Sequence, residues 1–314
     1  MKDYTCLYRE ELDINSAWSC NWDVFISAFE PCERVRDVFD KAPAKTKYWV
    51  VHNEYHFSAE DIPTGAFQSA SSNEADFILD LFDNVLAKHD LNSELLCVDI
   101  TGFMRPHLMF LMKLLFARGV TRFDVVYTEP KHYAEREKTT FSDTAVTTVR
   151  QVAGFEGVVN NDTSKDVLVI GAGYESHLIE EVADDKESAE RIVLFGFPSL
   201  RADMYQQNRL KVHEASDSIG ETPTGKLFAP ANDPFVTATV LSELLAKREG
   251  SQSITNLYLA PLATKAQALG FVLYYINECE NRAASIIYPF SESYSPDASR
   301  GISRVWRYTV ERLI

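Results

Sequence analysis

The chain contains one pattern twice. In each copy an apolar, strand-like run leads into a turn with a threonine and a basic residue, followed by a helix-like run and a second apolar run. The turn of the first copy holds Thr101 and Arg105, and the turn of the second holds Thr264 and Lys265. Strands that alternate with helices form parallel sheets with right-handed crossovers, so the repeat predicts two similar sheets in one chain.

The two copies also share a pair of tyrosines with the same spacing, Tyr127 with Tyr133 and Tyr288 with Tyr294. We therefore predict an α/β fold with two similar Rossmann-like parallel-sheet units in tandem. The first unit is expected at residues 1–150 and the second at residues 151–314. The repeat fits two separate domains and one pseudo-symmetric body equally well.

The net charge of the chain restricts its partners. The formal net charge is -15 at pH 7. A protein that binds duplex nucleic acid neutralises phosphates with lysine and arginine, so we expect no direct duplex partner. A small anionic ligand, held by a few local cations, is compatible with this charge.

Cysteine usage and hydropathy indicate a cytoplasmic protein. The five cysteines are scattered and form no Cys-x-x-Cys motif, which is typical of reduced thiols. The amino-terminal residues lack the apolar core of a signal peptide. The apolar stretch at residues 108–116 is interrupted by Lys113 and is too short to span a bilayer, so we expect no membrane partner.

Candidate ligand-binding residues follow from the predicted fold, because ligands of open parallel sheets bind outside the carboxyl ends of the strands. This rule, with the basic residues near the repeated turns, selects Ser27, Thr101, Arg105, Tyr127, Gly171, Gly173, Thr264, Lys265, Tyr288, Tyr294 and Arg300.

Three carboxylates at predicted strand ends are candidate catalytic groups if the protein is an enzyme. Asp99 and Glu129 follow neighbouring strands, as paired acid–base groups would, and Glu54 follows an earlier strand. A solvated or ion-paired role for Asp99 and Glu129 is the alternative. His52, Glu54 and His56 form a short ligand-like run, but no second cluster in the sequence completes a metal site, so we predict no metal.

The segment Gly171-Ala-Gly173 invites comparison with a dinucleotide-binding turn. Ser176 replaces the third glycine of that motif, and the next strand ends without the acidic residue that holds a ribose. We therefore interpret the glycines as tight turn packing and predict no cofactor.

The segment Asp99-Ile-Thr-Gly-Phe-Met-Arg105 resembles the Asp-x-Thr-Gly-Gly-Thr-Lys turn of CARF domains, the Rossmann-like sensors of CRISPR-linked cyclic oligonucleotides. The resemblance covers about the first 130 residues. Phe103 and Met104 depart from the motif, and Arg105 stands where that family has lysine. The resemblance implies that the turn contacts a nucleotide-like ligand and that the protein belongs to a signalling or anti-phage defence system.

These observations support three hypotheses about function. The first is a protein that binds a nucleotide-like or other anionic small molecule and works with an effector protein or as a homo-oligomer. The second is an enzyme that acts on a nucleotide or phosphorylated small molecule through its strand-end carboxylates. The third is a scaffold subunit of a complex, which a large exposed apolar patch would favour.

Overall fold

The computed structural model describes residues 2–133, 148–220, 225–250, 253–291 and 299–313. These residues form two compact units. The first unit contains described residues 7–133 and 299–312, and the second contains residues 2–6, 313 and those described between 148 and 291. Residues 2–6 thus belong to the unit formed mainly by the second half of the chain, and residues 299–312 belong to the unit formed mainly by the first half.

The strands of the described residues are, in chain order, β1 (Arg9–Leu12), β2 (Trp22–Ala28), β3 (Ala44–Val51), β4 (Phe67–Gln68), β5 (Leu96–Asp99), β6 (Arg122–Tyr133), β7 (Thr148–Gln151), β8 (Val167–Gly171), β9 (Glu190–Gly196), β10 (Gly225–Ala229), β11 (Leu257–Pro261), β12 (Ala284–Phe290) and β13 (Ser299–Glu311).

The α-helices of the described residues are α1 (Glu33–Lys41), α2 (Glu74–Asn84), α3 (Arg105–Ala117), α4 (Ser176–Asp185), α5 (Met204–Glu214), α6 (Ser216–Ile219), α7 (Pro234–Glu249) and α8 (Lys265–Tyr274). A π-helical turn, Tyr275–Cys279, continues α8. None of the helices in the described ranges has the length and hydropathy of a membrane span.

The two sheets share one strand order, which confirms the predicted α/β class with two Rossmann-like units. The first sheet runs β1-β13-β6-β5-β2-β3-β4, and the second runs β10-β9-β8-β11-β12-β7. In the first sheet the neighbouring strands β4, β3, β2, β5 and β6 are parallel, and in the second sheet β10, β9, β8, β11 and β12 are parallel. An antiparallel strand pairs with the last of each set, β13 with β6 and β7 with β12. The repeated sequence pattern therefore maps onto β5-α3-β6 and β11-α8-β12.

Local sequence signals fix several helix starts. The side chain of Asn73 caps α2 by accepting hydrogen bonds from two backbone N–H groups, and Asp233 does the same for α7. Pro106 lies in the first turn of α3, where its missing N–H costs nothing. These boundaries agree with the predictions from the sequence.

Two sequence patterns predict elements that the structure shows differently. The alternating run at residues 305–310 predicts an edge strand, but β13, which contains it, lies between β6 and β1. The stretch 213–232 is rich in serine, glycine, proline and threonine, which predicts one long loop, yet it contains α6 and β10. β13 pairs with strands that are distant in sequence, and β10 follows a glycine- and threonine-rich segment, so local pattern does not reveal them.

Candidate functional site

The first sheet reverses its strand order between β2 and β5, which is where open α/β sheets bind ligands. Ser27 and Asp99 face each other in register at this point. The Ser27 hydroxyl donates a 2.8 Å hydrogen bond to one carboxylate oxygen of Asp99, and the Thr101 N–H donates to the other at 3.0 Å. Asp99 is fully buried, so these donors stabilise its charge inside the protein.

Gly102 brings the turn after β5 against the end of β2. A Cβ at this position would lie 2.0 Å from the carbonyl oxygen of Ala28, which no side chain can tolerate. The adjacent Thr101 hydroxyl accepts a 3.0 Å hydrogen bond from the Thr128 N–H of β6. Gly102 and Thr101 therefore hold the turn after β5 against the end of β2 and the middle of β6.

A buried cluster of His52, Glu54 and His107 lies beside this turn. His52 and Glu54 follow the end of β3, and His107 is the third residue of α3. The rings of His52 and His107 have centroids 4.6 Å apart, and the Nε2 atom of His107 lies 3.8 Å from a carboxylate oxygen of Glu54. No sequence motif selects His107, although an imidazole in a mostly apolar helix is a usable signal.

Aromatic side chains enclose the cluster. The His52 ring stacks on Phe77 with centroids 5.0 Å apart and meets Phe103 edge-on at 5.5 Å. The Met104 N–H donates a 3.3 Å hydrogen bond to Nε2 of His52. Phe103, which departs from the CARF-like motif, thus packs against the cluster.

The carboxyl group of Glu54 is electrostatically unusual. Burial, with a smaller contribution from the nearby carboxylate of Glu74, raises the pKa of Glu54 from its ordinary value to about 7. Glu74 is the first residue of α2 and is also buried. A carboxyl group that changes protonation near neutral pH suits acid–base chemistry or cation binding.

Glu129 lies apart from Asp99. In register, Asp99 faces Val126 of β6, and Glu129 is three residues further along that strand. Side chains alternate between the faces of a strand, so Glu129 and Asp99 occupy opposite faces of the sheet. The structure therefore does not assemble the paired acid–base carboxylates that the sequence allowed.

The partners of Glu129 come from β13. Its carboxylate accepts hydrogen bonds from Arg304 at 2.9 Å and from the indole N–H of Trp306 at 2.6 Å. This ion-paired arrangement is the alternative role considered above for the carboxylate.

The remaining candidates of the first unit are dispersed. Arg105 is the half-buried first residue of α3, Tyr127 is buried within β6, and Arg300 is exposed on β13 opposite His132. Of these three, Arg105 is the cation next to the turn that carries Asp99 and Thr101.

Gly171 ends β8 in the second unit, Gly173 follows it, and both glycines allow close packing. A Cβ on Gly173 would lie 2.3 Å from the carbonyl oxygen of Leu262, and one on Gly171 would lie 3.0 Å from the ring of Phe271. The side-chain amide of Asn208 donates hydrogen bonds to the carbonyl groups of Ala172 and Gly173 at 2.7 and 3.0 Å. The glycine turn is thus filled by the protein itself.

Thr264 and Lys265 begin α8, and Tyr288 is buried in β12. Thr264 caps the helix by accepting from the Gln267 N–H, whereas Thr101 lies four residues before α3 and its hydroxyl accepts from the Thr128 N–H of β6. Arg105 and Lys265 are equivalent first helical residues, but the two threonines are not equivalent. Tyr294 lies outside the described residues.

The two strand-end edges differ at equivalent positions. The first residue after the second parallel strand is His52 in one unit and Phe197 in the other. The last residue of the fourth parallel strand is Asp99 in one and Pro261 in the other. The second unit keeps a buried carboxylate at Glu175, before α4.

In comparisons with known proteins, no protein-family model, no curated protein and no solved structure matches the chain.

Proposed function

We propose that the protein binds a small, nucleotide-like or otherwise anionic molecule at the carboxyl edge of the first unit's sheet. The observation that carries this proposal is the concentration of buried ionisable side chains there, namely His52, Glu54, Asp99 and His107. Burying an ionisable side chain costs stability, so such side chains are kept mainly where they serve a function.

The charges of this edge suit an anionic ligand. The carboxylate of Asp99 is held by Ser27 and Thr101, so its hydrogen-bonding capacity is largely used by the protein. Arg105 supplies a cation at the start of α3, where the helix dipole also favours negative charge. The ligand would therefore meet Arg105 and the first backbone N–H groups of α3.

Calorimetric titration with a panel of nucleoside phosphates, cyclic oligonucleotides and inorganic phosphate tests this proposal. We expect Arg105→Ala to weaken binding at least ~10-fold, because a charge-assisted contact contributes about 1.5–3 kcal/mol. Lys265→Ala is the matched control, since Lys265 is the equivalent first residue of α8 and should leave the affinity unchanged. Absence of binding, or equal loss in both variants, would refute the proposed location.

A second candidate function is an enzyme acting on the same class of ligand. The observation that favours it is the buried carboxyl–imidazole pair of Glu54 and His107, 3.8 Å apart, which could transfer protons to a bound substrate. Turnover of a panel member that is lost in Glu54→Gln and kept in Glu129→Gln would support this function. If panel members bind but are not turned over, the enzymatic function is excluded for them and the ligand-binding proposal stands.

A cluster of aromatic side chains, two of them exposed, on the second unit supports interaction with a partner protein or a second copy of the chain. Phe197 and Phe228 are 52% and 45% exposed, and their rings lie 6.3 Å apart beside Tyr205. Exposed aromatic side chains are enriched at protein interfaces. We expect sedimentation velocity to show concentration-dependent association that Phe197→Ser with Phe228→Ser abolishes; a monomer at all concentrations would exclude self-association.

A further inference from the structure

We propose that His52, Glu54 and His107 form a binding site for a divalent transition-metal ion. The three side chains are buried, and the nitrogen or oxygen atom that each would contribute lies within 4.8 Å of the other two. They come from two elements, the segment after β3 and the first turn of α3, so the site exists only in the folded chain.

The separations are close to those of a coordinated ion. Metal–ligand bonds of about 2.0–2.1 Å in a tetrahedral site put the ligand atoms about 3.3 Å apart. The Oε1 atom of Glu54 and the Nε2 atom of His107 are already 3.8 Å apart. Small rotations of side chains would therefore complete the coordination without moving the backbone.

The Oε2 atom of Glu54 gives independent support. It is buried and accepts no hydrogen bond from the part of the chain that the structure describes. Most buried polar atoms have a partner, so this oxygen needs explaining. A dication bound to Glu54 would satisfy it and would also offset the repulsion from Glu74.

His52 must exchange one interaction for another. A neutral imidazole has one nitrogen with a lone pair, and Nε2 of His52 uses it to accept the Met104 N–H at 3.3 Å. If either nitrogen of His52 binds the metal, this long hydrogen bond is lost. We therefore expect Glu54 and His107 to be the stronger ligands.

The donor set selects the class of metal. Two imidazole nitrogens and one carboxylate oxygen suit zinc, cobalt, nickel or iron better than magnesium or calcium, which prefer oxygen ligands alone. Three protein ligands leave at least one coordination position for water or a ligand atom. The metal site does not depend on the ligand proposed above, although a bound dication would attract a phosphate group.

The test is a titration of the tag-free, full-length protein, stripped with chelator, with Co²⁺ followed by visible absorption and with Zn²⁺ followed by calorimetry. We expect one ion per chain. His107→Gln and Glu54→Gln should each weaken binding at least ~100-fold, because even residues outside the coordination sphere change metal affinity by about 10–100-fold. Glutamine is a fitting replacement for His107, since Gln267 is buried at the equivalent position of α8.

His89→Gln is the control variant. His89 is another partly buried histidine of this unit, and it lies 2.8 Å from Glu94 and 3.0 Å from the Tyr48 hydroxyl. It should bind metal like the native chain. Circular dichroism and the midpoint of thermal unfolding without metal would show that the variants are folded. A native chain that takes up no ion, or folded His107→Gln and Glu54→Gln variants that bind normally, would overturn the proposal whether or not nucleotides bind.

Discussion

His107 and Gln267 occupy equivalent helix positions in the two units, whose sheets have the same strand order. Each is the third residue of the helix that follows the fourth parallel strand, and they are 3% and 1% exposed. His107 lies beside the carboxyl group of Glu54, whereas the Gln267 amide donates to the carbonyl oxygen of Ala229 at 3.3 Å. One scaffold thus carries an ionisable group in the first unit and a neutral one in the second.

The close approach of Gly102 to β2 predicts a large effect on stability. We expect Gly102→Ala to lower the free energy of unfolding by at least ~2 kcal/mol, because its Cβ would collide with the backbone oxygen of Ala28. Gly250→Ala is the control: a Cβ there meets only ordinary contacts of 3.5 Å, so the change should stay within about 1 kcal/mol. Urea denaturation measures both, and equal effects would contradict the predicted collision.

The ion pair of Glu129 and Arg304 should be structural. The carboxylate of Glu129 is fully buried and accepts a hydrogen bond from the Trp306 N–H. Removing Arg304 takes away the positive charge that is paired with this carboxylate. We predict that Arg304→Ala lowers the free energy of unfolding by about 2–3 kcal/mol, less than for a fully buried pair because the Arg304 side chain is 37% exposed.

Arg282→Ala provides the comparison for that ion pair. Arg282 and Glu249 are both 42% exposed, so their pair should contribute less than about 1 kcal/mol. Chemical denaturation of both variants, together with Glu129→Gln alone and combined with Arg304→Ala, gives the coupling energy of Glu129 and Arg304. If Arg304→Ala costs no more than Arg282→Ala, the buried carboxylate is not held by Arg304.

Cys32 should be a slow thiol. Burial, reinforced by the negative charge of Glu30, raises the pKa of Cys32 to about 12. Only the thiolate reacts, and at pH 8 a pKa of about 12 leaves roughly 10⁻⁴ of the thiol ionised. The labelling rate should therefore keep rising with pH from 7 to beyond 10, as the ionised fraction grows.

Mass spectrometry after timed iodoacetamide labelling checks this prediction. Cys6 is exposed and is the internal reference, which Cys32 should lag. Glu30→Gln should accelerate Cys32, because it removes the repulsion that raises the pKa. A Cys32 rate equal to that of Cys6, or a plateau below pH 9, would show that the thiol is not suppressed in this way.

Much of the fold could be predicted from the sequence, because its signals are local. The alternation of strands and helices, the caps at Asn73 and Asp233, and the first-turn Pro106 depend on neighbouring residues. The position of β13 could not be predicted, since its pairing with β6 joins residues far apart in the chain. Local pattern shows that a strand forms but not which strand it joins.

The candidate site was predicted only in part for the same reason. Glu54 and His52 stood out because they follow an apolar strand, but His107 is more than fifty residues away and meets them only through the packing of α3. Conversely, Asp99 and Glu129 lie on neighbouring strands, and only the register shows that they point to opposite faces.

The number of ligand sites per chain tests most directly whether only the first unit binds a ligand at the carboxyl edge of its sheet. We would titrate the native chain calorimetrically with the tightest-binding member of the nucleotide and phosphate panel. A single edge in the first unit predicts one site per chain, lost in Arg105→Ala and retained in Lys265→Ala. Two equal sites per chain, each lost with its own cation, would show instead that both copies of the repeat bind ligand.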